Sequence, residues 1–165
     1  MNALVVLLSY HHHNTKQVAD VIARVIGAEV RAPQDISPGE LSGYDLLGMA
    51  SGIYSGRHHQ SLLDLAEALP PVTSKRAFLF STSSAVMVGD VDSKLFQDYV
   101  GEIHAPLRGR LISKGYTIIG KFSCPGFNTN SFIRHFGGLN KGRPNAEDLS
   151  RAEVFARRVL TEAMR

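Results

Sequence analysis

The feature that most constrains the fold is a short apolar run near the start of the chain, Ala3 to Leu8 (ALVVLL). No polar residue alternates with the apolar ones, so both faces of the strand must be covered. Strands buried on both faces are typical of parallel sheets, whose connections usually pass through helices. The next segment carries apolar residues at helical spacing, as such a connection requires. These residues are Val18, Val21, Ile22, Val25 and Ile26.

The same alternation continues along the chain. We expect Asn14 to cap the first helix and Gly27 to end it. The later predicted strands are Ala28 to Ala32, Leu46 to Ala50, Ala77 to Phe80 and Tyr116 to Cys124. The later predicted helices are Gln60 to Leu69, His104 to Lys114 and a last one that follows a cap at Pro144 and Asn145. This order predicts an α/β fold with one open parallel sheet and helices on both faces.

Composition limits the class of protein. The 165 residues are 44% hydrophobic and 20% charged, which fits a single globular domain over residues 1–165. The net charge is +3, but the basic residues are scattered, so we expect no nucleic-acid partner. No apolar run approaches the roughly 20 residues that span a bilayer, so we expect no membrane partner. The lone cysteine, Cys124, and the absence of a basic segment before the first strand predict a cytoplasmic protein.

Ligands of open parallel sheets bind at the carboxyl ends of the strands. Each predicted strand except the second is followed there by a loop rich in polar or glycine residues. These loops are Ser9 to Thr15, Ser51 to His59, Ser81 to Gly89 and Ser123 to Ser131. The sequence therefore directs the search for a site to these four segments.

The first loop joins a buried strand to a helix N-terminus, where free backbone N–H groups favour an anion. It lacks the glycine patterns of nucleoside triphosphatases and of dinucleotide sites. What remains is a pocket for one phosphate group, held by neutral donors. The candidates are Ser9, Tyr10, His11, His12, His13, Asn14 and Thr15. A polar turn without a special role stays open, whereas a metal site is disfavoured because adjacent residues rarely present three ligands to one ion.

Four motifs occur in the order typical of one known family. They are SYHHHNT (Ser9 to Thr15), FSTSS (Phe80 to Ser84), FSCPGF (Phe122 to Phe127) and GGLNKGRP (Gly137 to Pro144). The chain thereby resembles the flavodoxin-like FMN-binding family, in the branch whose phosphate loop reads S-x-H-H-G-N-T. The resemblance covers nearly the whole chain. His13 departs from it, because it stands where that branch has glycine.

The resemblance implies a flavodoxin-like three-layer sandwich with strand order 2-1-3-4-5, FMN as cofactor and electron transfer as function. It implies that the ring of the flavin lies between the loop after the third strand and the loop after the fourth strand, where Tyr54 would stack on it. The implied contacts in the loop after the third strand are Ser51, Gly52, Ile53, Tyr54, Ser55 and Gly56. Those in the loop after the fourth strand are Ser81, Thr82, Ser83 and Ser84. Arg57, His58 and His59 are expected to be solvated, unless one of them supplies positive charge near the ring.

Two other functions stay open. One is a flavin-dependent NAD(P)H or quinone reductase, and the other is a non-redox module that has lost flavin. Cys124 is expected to be a packing residue rather than a nucleophile. The positive net charge favours a redox partner protein with an acidic face, and the chain is expected to act as a monomer or homodimer.

Overall fold

The computed structural model describes residues 1–84, 91–130 and 135–165. Two predicted loops extend beyond these ranges. Residues 85–89 of the loop Ser81 to Gly89 and Ser131 of the loop Ser123 to Ser131 lie outside the described residues. The strands are β1 (Ala3–Leu8), β2 (Glu29–Arg31), β3 (Leu46–Tyr54), β4 (Arg57–His58), β5 (Lys75–Ser83) and β6 (Tyr116–Pro125). The α-helices are α1 (Asn14–Ile26), α2 (Gln60–Ala68), α3 (Lys94–Ser113) and α4 (Ala146–Ala163).

Five of the six described strands pair in parallel in the order β2-β1-β3-β5-β6, which confirms the predicted topology. The sequence did not predict β4, which pairs antiparallel with the end of β3. Register places Leu8, Ser51, Ser81 and Ser123 in one row across the sheet. The row lies at the carboxyl ends of the strands, directly below the loops that were expected to bind a ligand.

Alternation along the strands divides the core into two layers. In β1, Ala3, Val5 and Leu7 face α1 and α4, whereas Leu4 and Val6 face α2 and α3. These side chains are at most 9% exposed, so the continuous apolar run is buried on both faces, as predicted. Among the described residues, no helix is both long and apolar enough to cross a membrane.

The third helix begins earlier than predicted, at Lys94 instead of His104. The expectation was wrong because Pro106, a residue that normally interrupts a helix, lies inside it. The helix nevertheless continues, because it presents one apolar stripe to the sheet from end to end. The residues of that stripe are Phe96, Val100, Ile103, Leu107 and Leu111.

Candidate functional site

The loop between β1 and α1 is short and conformationally special. His12 and His13 both have a φ of 52°, in the left-handed region that glycine adopts most easily. His13 stands where the similar branch of flavodoxin-like sequences has glycine, and its backbone has the conformation that glycine adopts most easily. It is also the N-cap residue of α1, but its side chain makes no capping hydrogen bond. The Lys16 backbone N–H instead donates to the Ser9 hydroxyl, over 3.1 Å.

Asn14 does not cap the helix, contrary to the prediction. It is the first helical residue, and its side-chain amide donates to the carbonyl oxygen of Phe127 over 2.7 Å. The next residue, Thr15, is buried, and its hydroxyl lies 2.8 Å from that of Thr82 at the end of β5. These two side chains join the first loop to the ends of β5 and β6.

A cleft of about 50 Å³ opens where the loops meet at the carboxyl edge of the sheet. Eleven of the predicted residues line it: Ser9, Tyr10, His11, Asn14, Thr15, Gly52, Ile53, Tyr54, Thr82, Ser83 and Ser84. The loop after β6 adds Gly126, Phe127, Asn128 and Asn130, which were not assigned to the site individually. The FSCPGF motif was the signal that pointed to the first two of these.

Six predicted residues do not line the cleft: His12, His13, Ser51, Ser55, Gly56 and Ser81. The ring of His12 turns to the loop after β6, where its Nε2 lies 2.8 Å from the Thr129 hydroxyl. Ser55 and Gly56 form the exposed turn between β3 and β4, and both have positive φ, as a tight hairpin turn requires. The side chains of the three adjacent histidines thus point in different directions, and of the three only His11 lines the cleft.

Ser51 and Ser81 are buried beneath the cleft, because successive strand residues point to opposite faces. The Ser51 hydroxyl donates to the carbonyl of Gly52 and lies 3.0 Å from Nδ1 of His58. The Ser81 hydroxyl donates to that of Ser123 and lies 2.9 Å from Nε2 of His104. Each hydroxyl has only one proton, so each histidine must supply the proton of its own contact.

The rings of His58 and His104 are fully buried and lie 4.8 Å apart, centroid to centroid. His58 is not solvated, which corrects the expectation, because β4 turns its side chain inward. The other ring nitrogens, Nε2 of His58 and Nδ1 of His104, have no hydrogen-bond partner among the described residues. Burial lowers the pKa of His58 to about 3, and it also lowers the pKa of His104. The pair is therefore uncharged at neutral pH.

Aromatic rings form the outer rim of the cleft. The rings of Tyr10 and Tyr54 stack with centroids 5.5 Å apart and an angle of 11° between their planes. His59 meets the edge of this stack, 5.4 Å from Tyr54, while its Nδ1 accepts the backbone N–H of Ser61 at the start of α2. Burial, followed by the hydrogen bond with Tyr10, raises the pKa of the Tyr54 hydroxyl. His59 is thus half-buried against the aromatic rim rather than solvated.

The wall after β6 needs glycine at a close approach. A Cβ on Gly126 would lie 2.9 Å from the side-chain nitrogen of Asn14 and 3.1 Å from Cβ of Thr82. Behind this wall, Asn128 and Leu139 exchange both backbone hydrogen bonds. The GGLNKGRP segment therefore supports the wall, and any side chain at residue 126 would displace the contacts of Asn14.

Two buried groups near the cleft differ in their relation to it. The Ser83 hydroxyl lines the cleft and has no hydrogen-bond partner among the described residues. Cys124 is 1% exposed and packs in the core, as expected, and burial raises the pKa of its thiol. The Ser83 hydroxyl is therefore a buried polar group without a partner next to the cleft, whereas Cys124 is not placed as a nucleophile.

Comparisons with solved structures show a flavodoxin-like fold. A flavodoxin from Streptococcus pneumoniae matches with a TM-score of 0.67 and 16% identity, over 98% of this chain and 99% of that one. Flavodoxin 1 from Bacillus cereus matches with a TM-score of 0.66 and 19% identity, over 97% and 98%. A Fusobacterium nucleatum flavodoxin bound to flavin mononucleotide matches with a TM-score of 0.66 and 14% identity, over 98% and 99%.

The chain has a flavodoxin-like fold, and it belongs to the same family as an archaeal relative. That relative is the uncharacterized protein MJ0298 of Methanocaldococcus jannaschii, which is 38% identical over 160 residues. The alignment covers 97% of this chain and 99% of the relative. No family model matches the sequence.

Proposed function

We propose that the protein binds FMN in the cleft and acts in electron transfer. The observation that carries this proposal is the junction of an anion-binding helix N-terminus with a stacked aromatic rim in one cleft. Helix N-termini favour phosphate, and aromatic rings favour a planar ligand. FMN combines both groups and supplies the redox chemistry, while the protein supplies binding and orientation.

The first loop fits the phosphate end of this ligand. The Ser9 hydroxyl already occupies the N-terminus of α1, where it accepts the Lys16 N–H. The hydroxyl of Thr15 and the ring of His11 border the same cleft. Among the described residues, no lysine or arginine lines it, so the phosphate would be held by neutral donors and by the helix dipole. The unpaired hydroxyl of Ser83 would take a polar group of the chain between phosphate and ring.

The flavin ring fits the aromatic rim only if Tyr10 and Tyr54 move apart, or if it packs on the outer face of their stack. Carbon atoms in contact lie about 3.5 Å apart, so a ring inserted between two others needs about 7 Å between them. Tyr10 and Tyr54 are 5.5 Å apart and close that space. Tyr10 is 47% exposed, so it is free to move outward. We therefore propose that Tyr10 and Tyr54 separate, or that the ring packs on their exposed side.

A direct test is to titrate the purified protein with FMN and to follow flavin fluorescence and visible absorbance. We expect saturable binding, with riboflavin bound more weakly because it lacks the phosphate. Absence of FMN binding would contradict the proposal and favour a non-redox module. Rapid oxidation of NADH or NADPH by the FMN-bound protein would instead favour a reductase.

The net charge of +3 supports a partner protein with an acidic face. We expect association with such a partner to weaken steeply as the salt concentration rises. Light scattering after gel filtration distinguishes a monomer from a homodimer, the two states that the sequence leaves open.

A further inference from the structure

A second cavity lies away from the cleft, at the edge of the sheet formed by β6, where it is bordered by α3 on one face of the sheet and by α4 on the other. It has a volume of about 530 Å³, within the range of about 300–1,000 Å³ that is usual for small-molecule sites. We call it the α3–α4 groove. Within residues 1–84, 91–130 and 135–165, β6 is the last strand of the sheet, and no further strand pairs with its outer side.

The floor of the groove is apolar. Val100 of α3, Phe122 of β6 and Phe155 of α4 contribute to it, and Val100 and Phe155 are at most 4% exposed. Val154, on the rim, is 66% exposed. A ligand seated on this floor would bury apolar surface of the partly exposed Phe122 and of the exposed Val154, and it would gain free energy from that burial.

The charges of the groove do not balance. Asp92 is paired with Arg151, and Asp148 is paired with Arg143. Two further cations line the groove, Lys121 and Arg158. Within the described ranges, neither has a carboxylate at salt-bridge distance. The guanidinium of Arg158 lies over the Phe155 ring, 5.7 Å from its centroid, so charge and apolar surface meet at one point.

We propose that the α3–α4 groove is a second ligand site, which binds a small organic anion with an apolar body. The apolar part covers Val100, Phe122 and Phe155, and the anionic group pairs with Lys121 and Arg158. The site is independent of the cleft, because the two share no lining residue.

The probe for the test is 8-anilinonaphthalene-1-sulfonate, and its neutral control is N-phenyl-1-naphthylamine, which has the same rings without the sulfonate. Binding is measured by calorimetry. We expect Lys121→Gln and Arg158→Gln each to weaken the sulfonate about fivefold, the size of one partly exposed charged contact. Arg24→Gln, which removes an exposed charge from the last turn of α1, should leave binding unchanged. Ser150→Trp, on the groove wall, should block binding without removing a charge.

Circular dichroism first establishes that each variant is folded. The proposal is overturned if the sulfonate does not bind, if excess FMN displaces it, or if Ser150→Trp has no effect. Equal binding of the neutral probe, or equal loss in Arg24→Gln, would overturn the assignment of the two cations. Because excess FMN reports on the cleft alone, failure of this proposal is distinguishable from failure of flavin binding.

Discussion

The hydroxyl groups of Thr15 and Thr82 lie 2.8 Å apart in a buried contact between the first turn of α1 and the end of β5. This contact holds the first loop against the strand that carries the Ser81 to Ser84 segment. Both side chains line the cleft, so the contact also fixes the depth at which a ligand can sit.

The first prediction is that Thr15→Ala weakens FMN by about 10- to 150-fold, since a hydrogen bond to a charged group contributes about 1.5–3 kcal/mol. The measurement is calorimetric titration with FMN. Thr161→Ala is the matched control, because that hydroxyl bonds only to the Arg157 carbonyl on exposed α4. Equal affinity of Thr15→Ala and the parent protein would contradict the phosphate assignment.

The second prediction concerns Asn14. Asn14→Ala should lower the free energy of unfolding by about 1–3 kcal/mol, because the carbonyl of Phe127 loses its buried donor. Its effect on FMN should be indirect, through movement of the wall after β6. Urea denaturation measures the first effect and FMN titration the second. An unchanged stability with a large loss of affinity would instead identify the amide as a direct ligand.

The third prediction concerns His13, whose φ is 52°. A left-handed backbone costs a residue with a side chain about 1–2 kcal/mol. Replacement by glycine removes this cost but lowers the free energy of unfolding by about 0.5–1 kcal/mol, because glycine is more flexible in the unfolded chain. We expect His13→Gly to raise the free energy of unfolding by about 0.5–1 kcal/mol and to bind FMN at least as well. His13→Ala keeps the strain and is the control. A tenfold loss of FMN affinity in His13→Gly would show that the imidazole contacts phosphate.

The fourth prediction follows from the buried histidine pair. The pKa of His58 falls from 6.5 to about 3 on folding, so between these pH values the unfolded chain binds more protons. Stability must therefore decrease as the pH falls through this window, by up to about 1.4 kcal/mol per pH unit for His58. His104 adds to the slope, because burial, His58, Lys121 and Arg108 all lower its pKa.

Urea denaturation at pH 6.5 and pH 5 measures this slope. His58→Gln should flatten it, whereas His13→Gln, which changes an exposed ring, should retain the slope of the parent protein. Identical slopes in all three proteins would show that His58 is protonated in the folded state.

The fifth prediction concerns the turn between β3 and β4. Gly56 has a φ of 76° and open space where a Cβ would stand, so only the backbone conformation opposes a side chain. We expect Gly56→Val to shift the potential of the first reduction step of bound FMN, with affinity kept within about tenfold, because the turn beside the ring loses its freedom. Gly56→Asn is the control, since asparagine tolerates positive φ. Redox titration followed by absorbance measures both, and unchanged potentials in Gly56→Val would count against a carrier.

The strand order was implied by the family resemblance, whereas the sequence pattern itself was sufficient for a parallel sheet with helices on both faces and for the four loops that line the cleft. Periodicity carries this information, because apolar runs and helical spacing reflect which faces are buried. It was not sufficient for the direction of single side chains. In the FSTSS segment, Ser81 points down to His104 whereas Thr82 meets Thr15, a difference set by strand register rather than residue type.

Two further errors have the same origin. Asn14 is a common capping residue, but the distant carbonyl of Phe127 takes its amide. His58 looked like part of a polar loop, but a two-residue strand turns it inward to Ser51. Both outcomes depend on contacts between segments whose relative position no local pattern contains.

The amide of Asn14 reaches a carbonyl 113 residues further along the chain, and His12 reaches Thr129 across 117 residues. A polypeptide emerges from the ribosome amino-terminus first, so residues 9–15 leave the exit tunnel long before residues 126–130 exist. During that interval β1 can pair with β2 and β3, but α4, which packs on α1, and one wall of the cleft are still missing. The cleft is therefore completed late in biosynthesis, after the chain beyond β6 has been translated and has closed against the first loop.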